Sequence, residues 1–129
     1  MIFKEDHIQQ ILRHADECAP EECCGLLIGS SNQVDNILPS LNMAKDNKTK
    51  QFELDPKVRF HAHRTFGEDK VMGFYHSHPN GLEIPSETDK KMVYEPHLVW
   101  VIVANHTLRA FKFNEVLNDF EEIAIQINS

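Results

Sequence analysis

The chain has 129 residues, of which 41% are hydrophobic and 26% are charged, values that are ordinary for one soluble globular domain with its own core. We therefore expect residues 1–129 to form a single domain. The formal net charge of −7 argues against nucleic acid or an anionic membrane as the main partner, because either would favour a basic face.

No run of the sequence approaches the ~18 to 20 apolar residues that a membrane-spanning helix needs, and the first ten residues lack the apolar region of a secretory signal. The three cysteines, Cys18, Cys23 and Cys24, are odd in number and include no CxxC pair. This pattern is typical of neither a disulfide framework nor a cysteine zinc site. We expect a cytoplasmic protein.

In chain order, the spacing of apolar residues predicts a first helix that is capped by Asp6 and ends at Pro20. The run CGLLIG, residues 24–29, is continuous and apolar, and it predicts a strand buried on both faces. Residues 34–38 are a weaker strand candidate. The polar run at 42–50 predicts an exposed loop.

Asp55, directly before Pro56, predicts the N-cap of a second helix that ends at Gly67. Further elements are predicted at 71–76 (strand), 86–94 (helix), 98–104 (strand), 107–113 (strand) and 120–127 (amphipathic strand). Strands interspersed with helices predict the α/β class, as a single layered domain with a mixed β-sheet flanked by helices. Fold class alone does not indicate a chemistry.

Residues 76–89, HSHPNGLEIPSETD, hold the strongest indication of chemistry. His76 and His78 end a predicted strand, where residues i and i+2 project to the same face, so both imidazoles can converge on one ion. Asp89 follows after a loop and the first turn of a predicted helix, and its carboxylate would complete a set of three ligands. Three protein ligands with a fourth position for water are typical of a catalytic zinc site.

Each part of this pattern also has a simpler interpretation. The segment at 86–89, Ser-Glu-Thr-Asp, is close to a helix capping box, and a His-X-His pair arises easily in a chain with eight histidines. His61 and His63 form a second such pair, but they lie in a predicted helix, where positions i and i+2 do not share a face. We assign no metal role to that second pair.

Taken together, H-S-H-P at residues 76–79 and S-x-x-D at residues 86–89 resemble the signature of the JAMM (MPN-plus) metalloprotease family. The segment PEECCGLLIG, residues 20–29, resembles the part of that family that holds its catalytic glutamate. The resemblance covers nearly the whole chain and is closest to a small prokaryotic branch of sulfur-carrier-protein peptidases and desampylases. It implies the JAMM/MPN fold, related to that of cytidine deaminases, and hydrolysis of peptide or isopeptide bonds.

The resemblance also implies roles for single residues. Glu22 matches the general base that takes a proton from the attacking water; Glu21 is the rival carboxylate, but the family spacing P-x-E-x-C-G favours Glu22. Ser86 matches the residue that hydrogen-bonds the oxyanion, and it can still cap its helix. The zinc ligands (Zn2+) of the family match His76, His78 and Asp89.

For a substrate, the resemblance implies cleavage after the C-terminal diglycine of a ubiquitin-like β-grasp sulfur carrier protein, whose tail can add as a strand beside a sheet edge. The loops at 42–50 and 79–85 flank the site and leave little room for a second ubiquitin-binding insertion. We therefore expect a sulfur carrier rather than ubiquitin chains. Two alternatives stay open: a minimal deubiquitinase or desampylase-like isopeptidase acting on protein conjugates, and a non-catalytic MPN scaffold.

Other hydrolytic mechanisms fit the sequence less well. Zinc nucleoside deaminases need H-x-E and P-C-x-x-C, and the HExxH metallopeptidases need that motif; none of these occurs. A thiol nucleophile at Cys23 or Cys24 is disfavoured because both open a buried strand, where cysteines are typically inert.

Overall fold

Eight strands form one mixed sheet, and three α-helices pack against it, in the computed structural model, which describes residues 1–128. The helices are α1 (Glu5–Cys18), α2 (Pro56–Phe66) and α3 (Glu87–Lys91). The strands are β1 (Ile2–Lys4), β2 (Cys24–Ser30), β3 (Gln33–Ser40), β4 (Val71–Ser77), β5 (Val99–Ala104), β6 (Thr107–Asn114), β7 (Asp119–Ile123) and β8 (Gln126–Asn128).

The order of strands across the sheet is β7-β6-β5-β4-β2-β3-β1-β8. Strand β4 lies at the centre, antiparallel to β2 and parallel to β5. Strands β1–β3 and β1–β8 also pair in parallel, and the remaining pairs are antiparallel. The predicted α/β class, with a mixed sheet flanked by helices, is confirmed.

Apolar side chains cover both faces of the central strands. Leu27, Tyr75 and Val101 pack on one face together with residues of α1. Leu26 lies on the other face with residues of α2, and Trp100 lies on this same face. Because neighbouring residues of a strand point to opposite faces, residues buried on both sides read as continuous apolar runs, which confirms the strand predicted at 24–29.

The predicted start of the first helix is wrong. Residue Lys4 occupies the N-cap position of α1 and makes no side-chain capping bond, while Asp6 lies in the first helical turn. An acidic residue there still suits the positive end of the helix dipole. The sequence pattern missed β1, whose three residues lead directly into the helix. By contrast, Asp55 caps α2 as predicted, and its carboxylate accepts a hydrogen bond from the Lys57 N–H at 3.0 Å.

The predicted last strand, at 120–127, is two strands at opposite ends of the sheet order, β7 and β8. The N-terminal amine of Met1 donates to the Ala124 carbonyl at 3.0 Å, and the Gln126 N–H donates to the Met1 carbonyl at 2.9 Å. The sheet therefore curls until its two ends are joined by a two-residue connection. Period-two spacing predicts which side chains share a face, but not which strand is the neighbour.

The helix predicted at 86–94 is also shorter in the structure, where α3 ends at Lys91. Among residues 1–128, no helix is long and apolar enough to span a membrane.

Candidate metal centre

His76 lies near the end of β4, where it is fully buried on the sheet face that also holds Trp100. The ring of Phe52 stacks on its imidazole, with 4.2 Å between ring centroids and 20° between ring planes. The Trp100 ring contacts the same imidazole edge-on at 5.5 Å. These two aromatic contacts hold the imidazole in one orientation.

His78 follows β4 by one residue, and its backbone N–H donates to the Val103 carbonyl at 2.9 Å. The Nδ1 atom lies 2.8 Å from the carbonyl oxygen of Leu82. A carbonyl only accepts hydrogen bonds, so Nδ1 donates, and Nε2 keeps a lone pair in the neutral ring. This is the usual arrangement for a metal-binding histidine.

Asp89 is held by the N-terminus of α3. The Ser86 N–H donates to Asp89 Oδ2 at 2.8 Å, and the Asp89 N–H donates to Ser86 Oγ at 3.0 Å. This reciprocal pair is the capping box that the sequence indicated. It points the Asp89 carboxylate at both histidines, with Oδ1 3.2 Å from His76 Nε2 and Oδ2 3.0 Å from His78 Nε2. Helix capping and metal binding by this segment are therefore compatible.

The three candidate ligands are buried and close together: the two histidine Nε2 atoms are 3.1 Å apart, and each lies near a different oxygen of the Asp89 carboxylate. A tetrahedral zinc ion with bonds of about 2.0 Å has ligand atoms about 3.3 Å apart. The observed separations of 3.0 to 3.2 Å are close to this value. The residues present thus fit a small tetrahedral ion.

Glu22 lies two residues before the start of β2 and is buried. One potential ligand atom each from Glu22, His76 and His78 lies within 4.8 Å of the others. Among the described residues, Glu22 Oε1 has no hydrogen-bond partner, which is costly for a buried carboxylate. The position allows Glu22 to act beside a metal or as a ligand, but Asp89, with an oxygen close to each imidazole, is the better-placed ligand.

Burial and the facing polar groups together set the charge states at this site; burial lowers the pKa of His78, but the Asp89 carboxylate outweighs it and raises that pKa. Burial raises the pKa of Glu22 to about 8, an effect opposed by His78 and increased by Asp89. Burial lowers the pKa of His76, which favours the neutral imidazole. For Asp89, burial opposes ionisation, but the facing imidazoles and the Ser86 N–H outweigh it and lower the pKa. An ionised carboxylate and a neutral imidazole are the forms that bind a metal cation.

The thiols of Cys23 and Cys24 are buried, and burial raises the pKa of each to about 12. Neither is a thiolate at neutral pH, so neither is an activated nucleophile. The second His-X-His pair, His61 and His63, is exposed on α2 and lies outside the site.

Sequence reasoning missed several contacts of the site. Phe52 and the carbonyl of Leu82 hold the two histidines, and no local pattern marks either one. The loop at 42–50 is not simply exposed, because Ala44 is buried and the Lys48 carbonyl accepts a hydrogen bond from the Glu22 N–H at 2.8 Å.

A cavity of about 220 Å³ opens beside Asp89, between the loop after β3 and the start of α3. Its lining includes Phe52, Thr88 and Met92. A second cavity, of about 230 Å³, shares Phe52 and Met92 and extends to Tyr94. Together they form a partly apolar groove that starts at the candidate metal centre.

Residues 4–114 match the family of prokaryotic homologs of the JAB domain. The match covers most of the chain, which therefore belongs to this family, the small prokaryotic branch of the JAMM/MPN proteins.

Two relatives and one solved structure extend this result. The chain is 38% identical over 106 residues to a desampylase from Haloferax volcanii, covering 75% of each chain. It is 24% identical over 119 residues to a CysO-cysteine peptidase from Mycobacterium tuberculosis, covering 87% of this chain and 82% of the relative. The fold is also similar to a solved JAMM structure, described as a metalloprotease-like zinc site in the proteasome and signalosome. The TM-score is 0.64 at 21% identity, and the alignment covers 100% of this chain and 98% of the chain in that structure. The fold is thus of the JAMM/MPN type, and the protein is a hydrolase with a candidate metal site.

Proposed function

We propose that this protein is a zinc-dependent peptidase or isopeptidase that hydrolyses the bond after the C-terminal diglycine of a ubiquitin-like sulfur carrier protein. One observation supports the chemistry above all: His76, His78 and Asp89 are buried, their facing polar atoms are 3.0 to 3.2 Å apart, and they lie next to the buried carboxylate of Glu22. The relatives named desampylase and CysO-cysteine peptidase support the substrate class.

In this proposal His76, His78 and Asp89 hold the zinc ion. Two neutral imidazoles and one carboxylate leave the ion with a net positive charge. Bound there, zinc would polarise the scissile carbonyl and lower the pKa of the attacking water. The Leu82 carbonyl, by accepting from His78 Nδ1, keeps the Nε2 lone pair directed at the metal position.

Glu22 acts as the general base. Its carboxylate accepts a proton from the attacking water, and the resulting carboxylic acid donates that proton to the leaving amine. General acid–base catalysis of this kind increases the rate by about 10²- to 10⁴-fold. Oxygen Oε1 has no competing hydrogen bond among the described residues, so it is available to the water. The high pKa that burial gives Glu22 favours its protonation, and a cation at the site opposes this.

Ser86 stabilises the negative charge that develops on the carbonyl oxygen. Its Oγ accepts a hydrogen bond from the Asp89 N–H, so the hydroxyl proton is left to donate to the substrate. Capping of α3 therefore orients the hydroxyl without using its proton.

The groove past Met92 and Tyr94 suits an extended chain that approaches the metal from one side. Two glycines at the end of that chain have no side chains and bring their backbone close to buried ligands. The internal loops of this protein offer little further surface to hold an acceptor protein, so most affinity comes from the β-grasp body and its tail.

The test compares kcat/KM of the zinc-loaded protein for three substrates with the same carrier body. These carry, after Gly-Gly, a single cysteine, a short peptide, or an isopeptide-linked lysine, and the products are identified by mass. Diubiquitin serves as the comparison substrate. We expect the short adducts to be released far faster than diubiquitin is cut. If diubiquitin is the better substrate, the sulfur-carrier proposal is wrong.

A second candidate function is removal of a small modifier from lysines of other proteins. The 38% identity to a desampylase supports it. In the same experiment, a clear preference for the lysine-linked adduct would favour this isopeptidase function. Zinc binding without cleavage of any adduct would favour the non-catalytic scaffold.

A further inference from the structure

Asn42 lies where the backbone pairing of β2 and β3 has ended. Cys24 pairs with Ser40 in the antiparallel ladder, and continuing that register by two residues brings Glu22 opposite Asn42. The contact there is made by a side chain: Asn42 Nδ2 donates to the Glu22 carbonyl at 3.0 Å.

The Asn42 amide uses its full hydrogen-bonding capacity. Besides Glu22, Nδ2 donates to the Gln51 carbonyl at 2.9 Å. Oxygen Oδ1 accepts from the Ala44 N–H at 3.0 Å and from the Glu53 N–H at 3.2 Å. An asparagine amide offers two donors and two acceptor positions, and all four are engaged. Every partner is a backbone group, so the orientation of the amide is unambiguous.

These bonds join the two limbs of one loop, residues 42–53, which we call the flap. The flap touches the metal centre at two points. The Lys48 carbonyl accepts from the Glu22 N–H at 2.8 Å, and the Phe52 ring, between two partners of Asn42, stacks on His76.

We propose that Asn42 is a positioning residue, which sets the backbone of Glu22 and the flap relative to the metal centre. This positioning role rests on the proposed function of Glu22 as the general base. Asn42 acts through Glu22 and Phe52, since its own polar atoms are taken up by backbone groups. A shift of a general base by about 1 Å can cost 10²-fold in rate, so a single amide that fixes its backbone affects turnover.

The test is Asn42→Asp in the full-length, zinc-loaded protein. The carboxylate keeps the oxygen that accepts both hydrogen bonds, but it replaces the NH2 group and its two donors by a second, negatively charged oxygen that faces the carbonyls of Glu22 and Gln51. We expect exchange of the Glu22 amide hydrogen, followed by NMR, to become about fivefold to tenfold faster. We also expect kcat at full zinc occupancy to fall about tenfold to hundredfold, a larger change than that in KM.

Asn114→Ala is the matched control. The Asn114 side chain also makes several hydrogen bonds in a loop, to Glu121, Val116 and Leu117. It ends β6 at the far end of the sheet from the metal centre, because β6 runs antiparallel to β5. This control loses a comparable set of bonds without touching Glu22.

Two results would overturn the proposal. One is that the Glu22 amide hydrogen of Asn42→Asp exchanges at the wild-type rate. The other is that the kcat of Asn42→Asp is as high as that of Asn114→Ala. If Asn42→Asp does not fold, Asn42→Ser, with a short hydroxyl, is measured in the same way and judged by the same two results. The exchange measurement needs no substrate. If the wild-type protein cleaves no carrier adduct, the proposed function fails while the exchange result still decides whether Asn42 positions Glu22.

Discussion

The chain contains two His-X-His pairs that look alike in sequence and differ completely in structure. His76 and His78, at the end of β4, are buried, and their Nε2 atoms are 3.1 Å apart. His61 and His63, on α2, are exposed; the first lies near Thr65, and the second lies 3.5 Å from a glutamate. The same three-letter pattern therefore produces a candidate metal centre in one region and a solvated helix surface in the other.

The difference follows from backbone period and burial. In an extended chain, residues i and i+2 share a face, whereas on a helix they are about 200° apart. The strand pair also has a third candidate ligand, Asp89, brought to it by α3, whereas among the described residues no candidate ligand group contains both helix histidines. A metal motif is thus defined by the element that presents it.

The largest expected effect comes from removing a ligand of the strand pair. His78→Ala should lower zinc affinity by more than about 10²-fold, because even partners outside the ligand sphere contribute 10- to 100-fold. Turnover should be lost with the metal. His61→Ala and His63→Ala are the controls and should bind zinc like the wild type. Zinc content by mass spectrometry of dialysed protein checks this, and full zinc retention by His78→Ala would contradict the assignment.

The next effect separates ligands from the base. Glu22→Gln should retain zinc and lose about 10²- to 10⁴-fold in kcat, because an amide cannot accept the proton of the attacking water. Glu21→Gln is the matched control, since Glu21 is the exposed neighbour. Steady-state kinetics with equal zinc content measure the difference. If Glu21→Gln were the inactive variant, the wrong carboxylate would have been assigned.

Burial of Glu22 also predicts a pH effect in the metal-free protein. The pKa of Glu22 is raised from 4.5 to about 8, so between these values the folded state holds a proton that the unfolded state releases. The stability contributed by this group is therefore present below the unfolded pKa and is lost as pH rises through the folded pKa. Metal-free Glu22→Gln should match the wild type at about pH 4 and exceed its Tm by several degrees at about pH 8. If the Tm values of the two metal-free proteins, measured in the presence of chelator, changed with pH in the same way, this prediction would be wrong.

The smallest expected effect on catalysis concerns the thiol next to the base. Cys24→Ala should cost about 1 to 2 kcal/mol of unfolding free energy as a buried truncation and leave kcat nearly unchanged, because the proposed mechanism needs no thiol. Urea denaturation and kinetics on zinc-loaded protein measure both quantities. Inactivation of a folded, zinc-loaded Cys24→Ala protein would return the cysteine mechanism to consideration.

Local sequence patterns determined much of the fold. Apolar runs predicted the central strands, and the Asp55-Pro56 pair with Gly67 predicted α2. These features depend on residues close in the chain, whose backbone period and capping chemistry are local properties. The same holds for the shared face of the histidine pair and for the capping position of Asp89, since strand period and capping chemistry are also local.

Only the tertiary structure decided the rest. The separation of β7 from β8, the Phe52 ring on His76 and the Asn42 amide on Glu22 join residues far apart in sequence. Such contacts depend on the path of the whole chain, and a single sequence contains no local signal for them. The sequence thus determined which chemical groups this protein brings to its site, and the tertiary structure decided how each one is held, because orientation and burial come from packing between distant segments.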